Sequence, residues 1–295
     1  MKVNHFIFIA LGFALGLSPV SAQTSMADLF GDHYTILKDV SYGPDAEQNM
    51  DIYLSTVPNP EYVKYTVVFV HGGGFYVSDK TKEERYIRPY LEKGFNVVNL
   101  NYRLKRGVPV ATEDLTIALN FLKENNAEYK LKLNRLILTG FSAGAQIATN
   151  VGLARNNRDY PNRLDKGIKT TAVINFSGPV DQLDVIEKVF TEHEVEIMQT
   201  VGRALFTEYE GYTPGEILAV YEPITWLDKK DPAVFLWYGA HDDQVPAKTF
   251  TAFASLLNEN TDKNVVVFDP DAGHSPSNET LARVYQKIFE FIGGL

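Results

Sequence analysis

Leu136-Ile137-Leu138-Thr139-Gly140-Phe141-Ser142-Ala143-Gly144 is an apolar run that ends on a serine held between two glycines. The run, followed by the small, helix-compatible residues Ala145, Ile147 and Ala148, predicts a buried strand that turns sharply into a helix. A serine between two glycines at that point fits a strained strand-to-helix turn. The same five-residue pattern occurs in ordinary loops, so its meaning depends on what the rest of the chain supplies.

A serine hydroxyl is a poor nucleophile at neutral pH and needs a base, held in one tautomer by a third group. The chain has 6 histidines. His5 lies in a segment expected to be removed, His33 precedes the first predicted strand, and His193 sits among Glu192, Glu194 and Glu196 on what reads as a solvated helix face. In a strand-turn-helix serine site the chain order is serine, acid, histidine, which selects His274, just past the apolar run Val265-Val266-Val267-Phe268. The acid should leave the preceding strand, Ala233 to Tyr238, whose exit loop is Gly239-Ala240-His241-Asp242-Asp243-Gln244-Val245-Pro246. Asp242 and Asp243 compete for that role, because either could instead cap the helix expected near Pro246. Asp242 is preferred as the acid, with Asp243 as the cap.

Acyl transfer also needs N–H donors aimed at the developing oxyanion. His71-Gly72-Gly73-Gly74-Phe75 follows the strand Thr66 to Val70, and its glycines free the backbone N–H groups to face a ligand. A phosphate loop is the competing reading, but the P-loop lysine and the GxGxxG spacing are both missing.

Together these segments resemble the α/β-hydrolase esterases with an HGGG motif, related to hormone-sensitive lipase and to bacterial acetyl and feruloyl esterases. The resemblance rests on His71 to Phe75, Asn101-Tyr102-Arg103-Leu104, Gly140 to Gly144, Glu222-Pro223-Ile224-Thr225, Asp242 to Pro246 and Gly273-His274. It implies Ser142 as nucleophile, His274 as general acid and base, Asp242 as its orienter, and an oxyanion hole from Gly73, Gly74 and Ala143. Phe75 and Phe141, beside the loop and the serine, are the candidate substrate contacts. Neither a cofactor nor a metal is implied.

Eight strand candidates run along the chain: Tyr34 to Val40, Met50 to Leu54, Thr66 to Val70, Phe95 to Asn101, Leu136 to Thr139, Thr171 to Phe176, Ala233 to Tyr238 and Val265 to Phe268. From the third onward they are spaced by helix-length segments, so the expected fold is α/β with a mostly parallel eight-stranded sheet covered on both faces. Leu115, Ala118, Leu119 and Leu122 form one buried helical stripe; Leu281, Val284, Tyr285, Ile288 and Ile292 form another, with Ser277 placed to cap it. Asp181 to Asp231 is too long for an ordinary connection and carries helical patterns, including Met198 and Val201. An insertion there should lie over the carboxyl ends of the strands as a partial helical lid.

Lys2, the apolar stretch Phe6 to Leu17 and Ser18-Pro19-Val20-Ser21-Ala22 read as a signal peptide over residues 1–22, leaving a catalytic domain over 23–295. A retained membrane anchor is the alternative, though the stretch is shorter than the roughly 20 residues that span a bilayer. With no cysteine, neither disulfides nor a lipidated cysteine is available, so a soluble periplasmic or secreted protein is expected. The formal net charge of −9 disfavours nucleic acid as a partner. The expected partner is a small-molecule or carbohydrate ester, without stable membrane insertion. An exported serine carboxylesterase acting on short acyl chains leads; a kynurenine-formamidase-like amide hydrolase and a non-catalytic binding protein on the same scaffold are the alternatives.

Overall fold

A computed structural model describes residues 25–57, 59–154, 160, 163–205, 220–260 and 263–295. Eight strands form one sheet: β1 (Tyr34–Ser41), β2 (Asn49–Ser55), β3 (Thr66–Val70), β4 (Asn96–Leu100), β5 (Leu136–Phe141), β6 (Thr170–Phe176), β7 (Ala233–Gly239) and β8 (Val265–Asp269). Their order is β1-β2-β4-β3-β5-β6-β7-β8, and β2 alone runs against the rest. All eight sequence-predicted strands form, with ends shifted by no more than two residues.

Nine helices accompany the sheet among the described residues: α1 (Met26–Phe30), α2 (Arg88–Glu92), α3 (Gly107–Glu124), α4 (Asn126–Tyr129), α5 (Ala143–Ala154), α6 (Leu183–Thr191), α7 (Glu196–Leu205), α8 (Thr251–Asn260) and α9 (Asn278–Gly293). Because side chains alternate across a strand, the sheet divides the core in two. Val68, Val70, Leu138 and Leu236 pack with α3, α5 and α6 on one face. Val67, Phe69, Ile137, Phe235 and Trp237 pack with α2 and α9 on the other. The stripes of α3 and α9 are buried as their spacing predicts, and Ser277 Oγ caps α9 by accepting from Thr280 N at 3.1 Å.

The site follows from topology and register. After β3 the chain goes to β4 on one side, then returns to place β5 on the other, so the crevice between the two returning connections opens at the carboxyl ends of β3 and β5. Val70 pairs with Gly140, so His71 leaves β3 level with the last residues of β5. Phe141 pairs with Phe176, and Phe176 with Trp237, which brings the exit loops of β6 and β7 to the same rim. Among the described residues, no helix is long and apolar enough to cross a membrane. Residues 1–22, the expected signal peptide, lie outside the described residues, as do Phe206, Tyr209 and Tyr212 of the insertion.

Candidate active site

Ser142 stands at the turn between β5 and α5 with φ +51°, in the left-handed region that side chains rarely adopt. The turn is held by Ser142 N donating to Phe176 O at 2.8 Å and by Ala145 N and Gln146 N donating to Ser142 O at 3.0 and 3.1 Å. The flanking glycines are required by proximity. A Cβ on Gly144 would lie 2.1 Å from Val70 O, and one on Gly140 would lie 2.4 Å from the Gly144 carbonyl carbon.

The loop after β3 turns through Gly73, at φ +99°, with Tyr76 N and Val77 N both donating to Gly73 O. Its entry is clamped from three sides. The His71 ring stacks on Tyr102 at 4.4 Å and donates from Nδ1 to Gly72 O at 2.7 Å. Tyr102 OH donates to His71 O and Gly72 O, both at 3.2 Å, and Gly72 N donates to Glu83 Oε2 at 2.9 Å. Burial pushes the His71 imidazole down to about 4, so it is neutral at physiological pH. Among the described residues, the N–H groups of Gly73, Gly74 and Ala143 hydrogen-bond to no protein acceptor. Gly73, Gly74 and Ser142 all border one cavity of about 360 Å³, and Ala143 directly follows the serine.

Across that cavity stands His274, whose Nδ1 donates to Asp242 Oδ2 at 2.8 Å. That bond leaves Nε2 as the ring's proton acceptor. The other carboxylate oxygen, Asp242 Oδ1, accepts from Gln244 N at 3.0 Å and Val245 N at 2.7 Å. His274 is positioned from behind by Ser177 Oγ, which donates to its carbonyl at 2.9 Å. His241 is exposed, and its backbone N ties the acid loop to Ala272 O at 2.9 Å.

Three sequence expectations need correction. The cap assigned to Asp243 is not made: the short 3₁₀ helix Ala247–Thr249 has no side-chain cap, and Asp242 itself satisfies the turn's N–H groups. Phe75 does not border the cavity; it is buried in the core beside Tyr102, because the glycine turn aims it inward. His193 is not on a solvated helix face. It occupies the turn between α6 and α7, where Nδ1 accepts from Val195 N at 3.0 Å and Nε2 donates to Asp243 O at 3.2 Å.

That contact ties the insertion to the acid loop. Phe190 of α6 and Ile197, Met198 and Val201 of α7 form the apolar side of the cavity, as expected of a partial lid. Val201 lies directly over the glycine loop, where a Cβ on Gly74 would be 2.7 Å from Val201 Cγ2. Phe141 also borders the cavity, its ring 4.9 Å from that of His274. Tyr102 and Glu83 were not singled out in the sequence. Tyr102 was available as part of the quoted Asn101 to Leu104 segment, whereas Glu83 sits in the charged run Lys80-Thr81-Lys82-Glu83-Glu84-Arg85, which reads as solvated surface.

The family model BD-FAE matches residues 50–257. Esterase LipQ of Mycobacterium tuberculosis (strain ATCC 25618 / H37Rv) is 23% identical over 264 residues, covering 86% of this chain and 61% of that protein. The chain thus spans less than two thirds of that relative's length. Among solved structures, a bifunctional GH43-CE protein of Bacteroides eggerthii superposes with a TM-score of 0.69 at 24% identity, covering 87% of this chain and 38% of that one. A truncated carbohydrate esterase from gut microbiota has a TM-score of 0.69 at 20% identity, covering 88% and 97%. These likenesses establish the α/β-hydrolase fold.

Proposed function

The chain belongs to the BD-FAE family of α/β-hydrolases, and from that premise we propose that it is a serine carboxylesterase for short-chain acyl esters. The observation that carries this reading is the coincidence, on one cavity, of a serine at a left-handed turn, a histidine oriented by a buried aspartate, and unpartnered backbone N–H groups. Ser142 Oγ attacks the ester carbonyl carbon while its proton passes to His274 Nε2. The carbonyl oxygen becomes an oxyanion that accepts from the N–H groups of Gly73, Gly74 and Ala143, each such donor being worth about 3 kcal/mol in the transition state. The C–O bond to the alcohol then breaks, and His274 returns the proton to the leaving oxygen. Water attacks the acyl-enzyme by the same route, giving the carboxylic acid and free Ser142.

The apolar side chains of Phe190, Met198 and Val201, which close one side of the cavity, support an acyl group as the part of the substrate held there. Acetyl to butyryl esters are preferred over chains of about eight carbons or more by at least roughly tenfold in kcat/KM, which requires only about 1.4 kcal/mol of discrimination. The carbohydrate esterase among the structural relatives supports a carbohydrate ester as the natural substrate, and the sequence resemblance supports an acetylated or feruloylated one. The signal-like segment 1–22 supports an exported protein acting outside the cytoplasm. The test is a panel of p-nitrophenyl acetate, butyrate and octanoate, acetylated xylan and methyl ferulate, assayed with wild type and Ser142→Ala. Short esters should be hydrolysed by wild type alone; undiminished hydrolysis by the variant, or rates rising through octanoate, would overturn the reading.

A further inference from the structure

The cavity has a polar wall that the hydrolytic steps do not use. Besides the apolar side chains of α6 and α7, the cavity is bordered by Ser78, Glu83, Gln244 and Ser275. Of these Glu83 is the unusual one, a carboxyl group bordering a substrate-sized cavity. Its Oε2 is taken by Gly72 N, but its Oε1 has no hydrogen-bond partner and no cation within salt-bridge distance among the described residues. The nearby Arg85 is committed elsewhere, donating to Ser275 Oγ at 2.7 Å, to Pro276 O at 3.0 Å and to Tyr86 OH at 3.0 Å.

Oε1 also stands at a particular place beside the glycine loop. The point a Gly72 Cβ would occupy is 3.2 Å from Glu83 Oε1 and 3.0 Å from both the Phe141 ring and the Phe141 carbonyl oxygen. The Phe141 ring in turn packs against His274. The free oxygen thus lies between the glycine loop and the Phe141 ring that packs against the histidine, and it is the histidine that delivers a proton to the leaving alcohol. The opposite part of the glycine loop, at Gly74, is covered by Val201.

We propose that Glu83 is a specificity-determining residue for the alcohol half of the substrate, its Oε1 accepting a hydrogen bond from a hydroxyl on the carbon next to the ester-bearing carbon, as in a monoacylated sugar. This rests on the esterase reading above and deepens it. A carboxylate acceptor gives a charge-assisted hydrogen bond, stronger than one from a neutral group. Burial raises the Glu83 carboxyl to about 7, against the opposing pulls of Gly72 N–H and Arg85, with Asp79 raising it further. The groups facing it are Asp79, Arg85 and Tyr86 on its own segment, Tyr102 from the loop after β4, and His274 across the cavity. Between pH 6 and 8 the acceptor gains its charge, so recognition of the hydroxyl strengthens as pH rises.

The smallest substrate pair that isolates this contact is 2-hydroxyethyl acetate and ethyl acetate, which differ by one hydroxyl. Their kcat/KM ratio is measured at pH 6 and pH 8 for wild type and Glu83→Gln, which keeps an oxygen for Gly72 N–H but presents a non-titrating amide. Wild type should favour the hydroxylated ester by about tenfold at pH 8 and several-fold less at pH 6, while Glu83→Gln, left with at most a neutral hydrogen bond, gives a smaller ratio that is the same at both. A general effect of pH or of loop damage on catalysis cancels in the ratio. A wild-type ratio that does not change between pH 6 and 8, or a variant that loses rate on both esters with the ratio intact, would overturn the proposal and leave the esterase reading standing. Hydrolysis of neither ester by wild type would overturn the esterase reading, and the proposal with it.

Discussion

Asp242 divides its two oxygens between fold and chemistry. Oδ1 closes the turn to Gln244 and Val245, and Oδ2 holds His274. Asp242→Asn can keep the first set of bonds while placing an amide N–H₂ against His274 Nδ1–H, donor against donor. The imidazole then adopts the other tautomer and can no longer take the serine proton, so kcat for p-nitrophenyl acetate should fall by about three to four orders of magnitude with little change in melting temperature. Asp243→Asn should leave kcat within about twofold, because the only Asp243 group in the lid contact is its backbone oxygen. Equal losses in the two variants would contradict the assignment. These neighbours show how far the sequence can be read at single residues. Chain order points to a pair of adjacent aspartates but cannot separate them, since a turn-closing and a histidine-orienting carboxylate have the same local signature; the structure resolves this by giving both tasks to one residue. Glu83 was hidden for the opposite reason. A carboxylate among lysines and glutamates reads as surface, and only the fold of the glycine loop turns it inward.

At the scale of elements, the turn after β5 and the loop after β3 are held as one unit, since Gly144 meets the backbone of Val70 and His71. Gly144→Ala would force a methyl to within 2.1 Å of Val70 O, so destabilisation should reach the upper end of the about 1–3 kcal/mol usual for overpacking. Urea unfolding measures this, and a loss below about 0.5 kcal/mol would show that strand and helix can separate at no cost. The glycine loop should also carry a pH signature through His71. Its folded value of about 4 lies below the ordinary 6.5, so the unfolded chain binds the extra proton first as pH falls between those limits. The stabilisation from neutral His71 is complete above pH 6.5 and is lost as pH drops towards 4. The stability gap between wild type and His71→Gln should therefore narrow over that window; a gap independent of pH would contradict the burial of the ring. The strands were legible because β3, β4, β5, β6 and β7 are short, largely apolar runs rich in β-branched or aromatic residues. The short helix α2 and the 3₁₀ turn Glu84–Tyr86 before it were not, because their charged residues follow no sustained stripe. His193 was misplaced because its acidic neighbours face solvent while the turn between α6 and α7 directs the ring to the acid loop.

For the whole molecule, sequence spacing made a mostly parallel, doubly covered sheet readable, but not its strand order. The reversal between β4 and β5 around β3, which creates the crevice, depends on long-range pairing that no local pattern encodes. It is this reversal that brings residues separated by up to about two hundred positions, from Gly73 to His274, onto one cavity. The exported form should begin at Gln23, and N-terminal sequencing of the protein recovered outside the cytoplasm checks this; a chain starting at Met1 and found with membranes would favour a retained anchor. The serine-hydrolase reading of the entire site reduces to one chemical event, covalent capture at a single oxygen. Incubation of wild type with a fluorophosphonate, followed by intact-mass measurement and peptide mapping, should show one adduct per chain on Ser142, loss of hydrolysis in proportion to labelling, and no adduct on Ser142→Ala. A label on another serine, or hydrolysis that persists when Ser142 is fully modified, would contradict it.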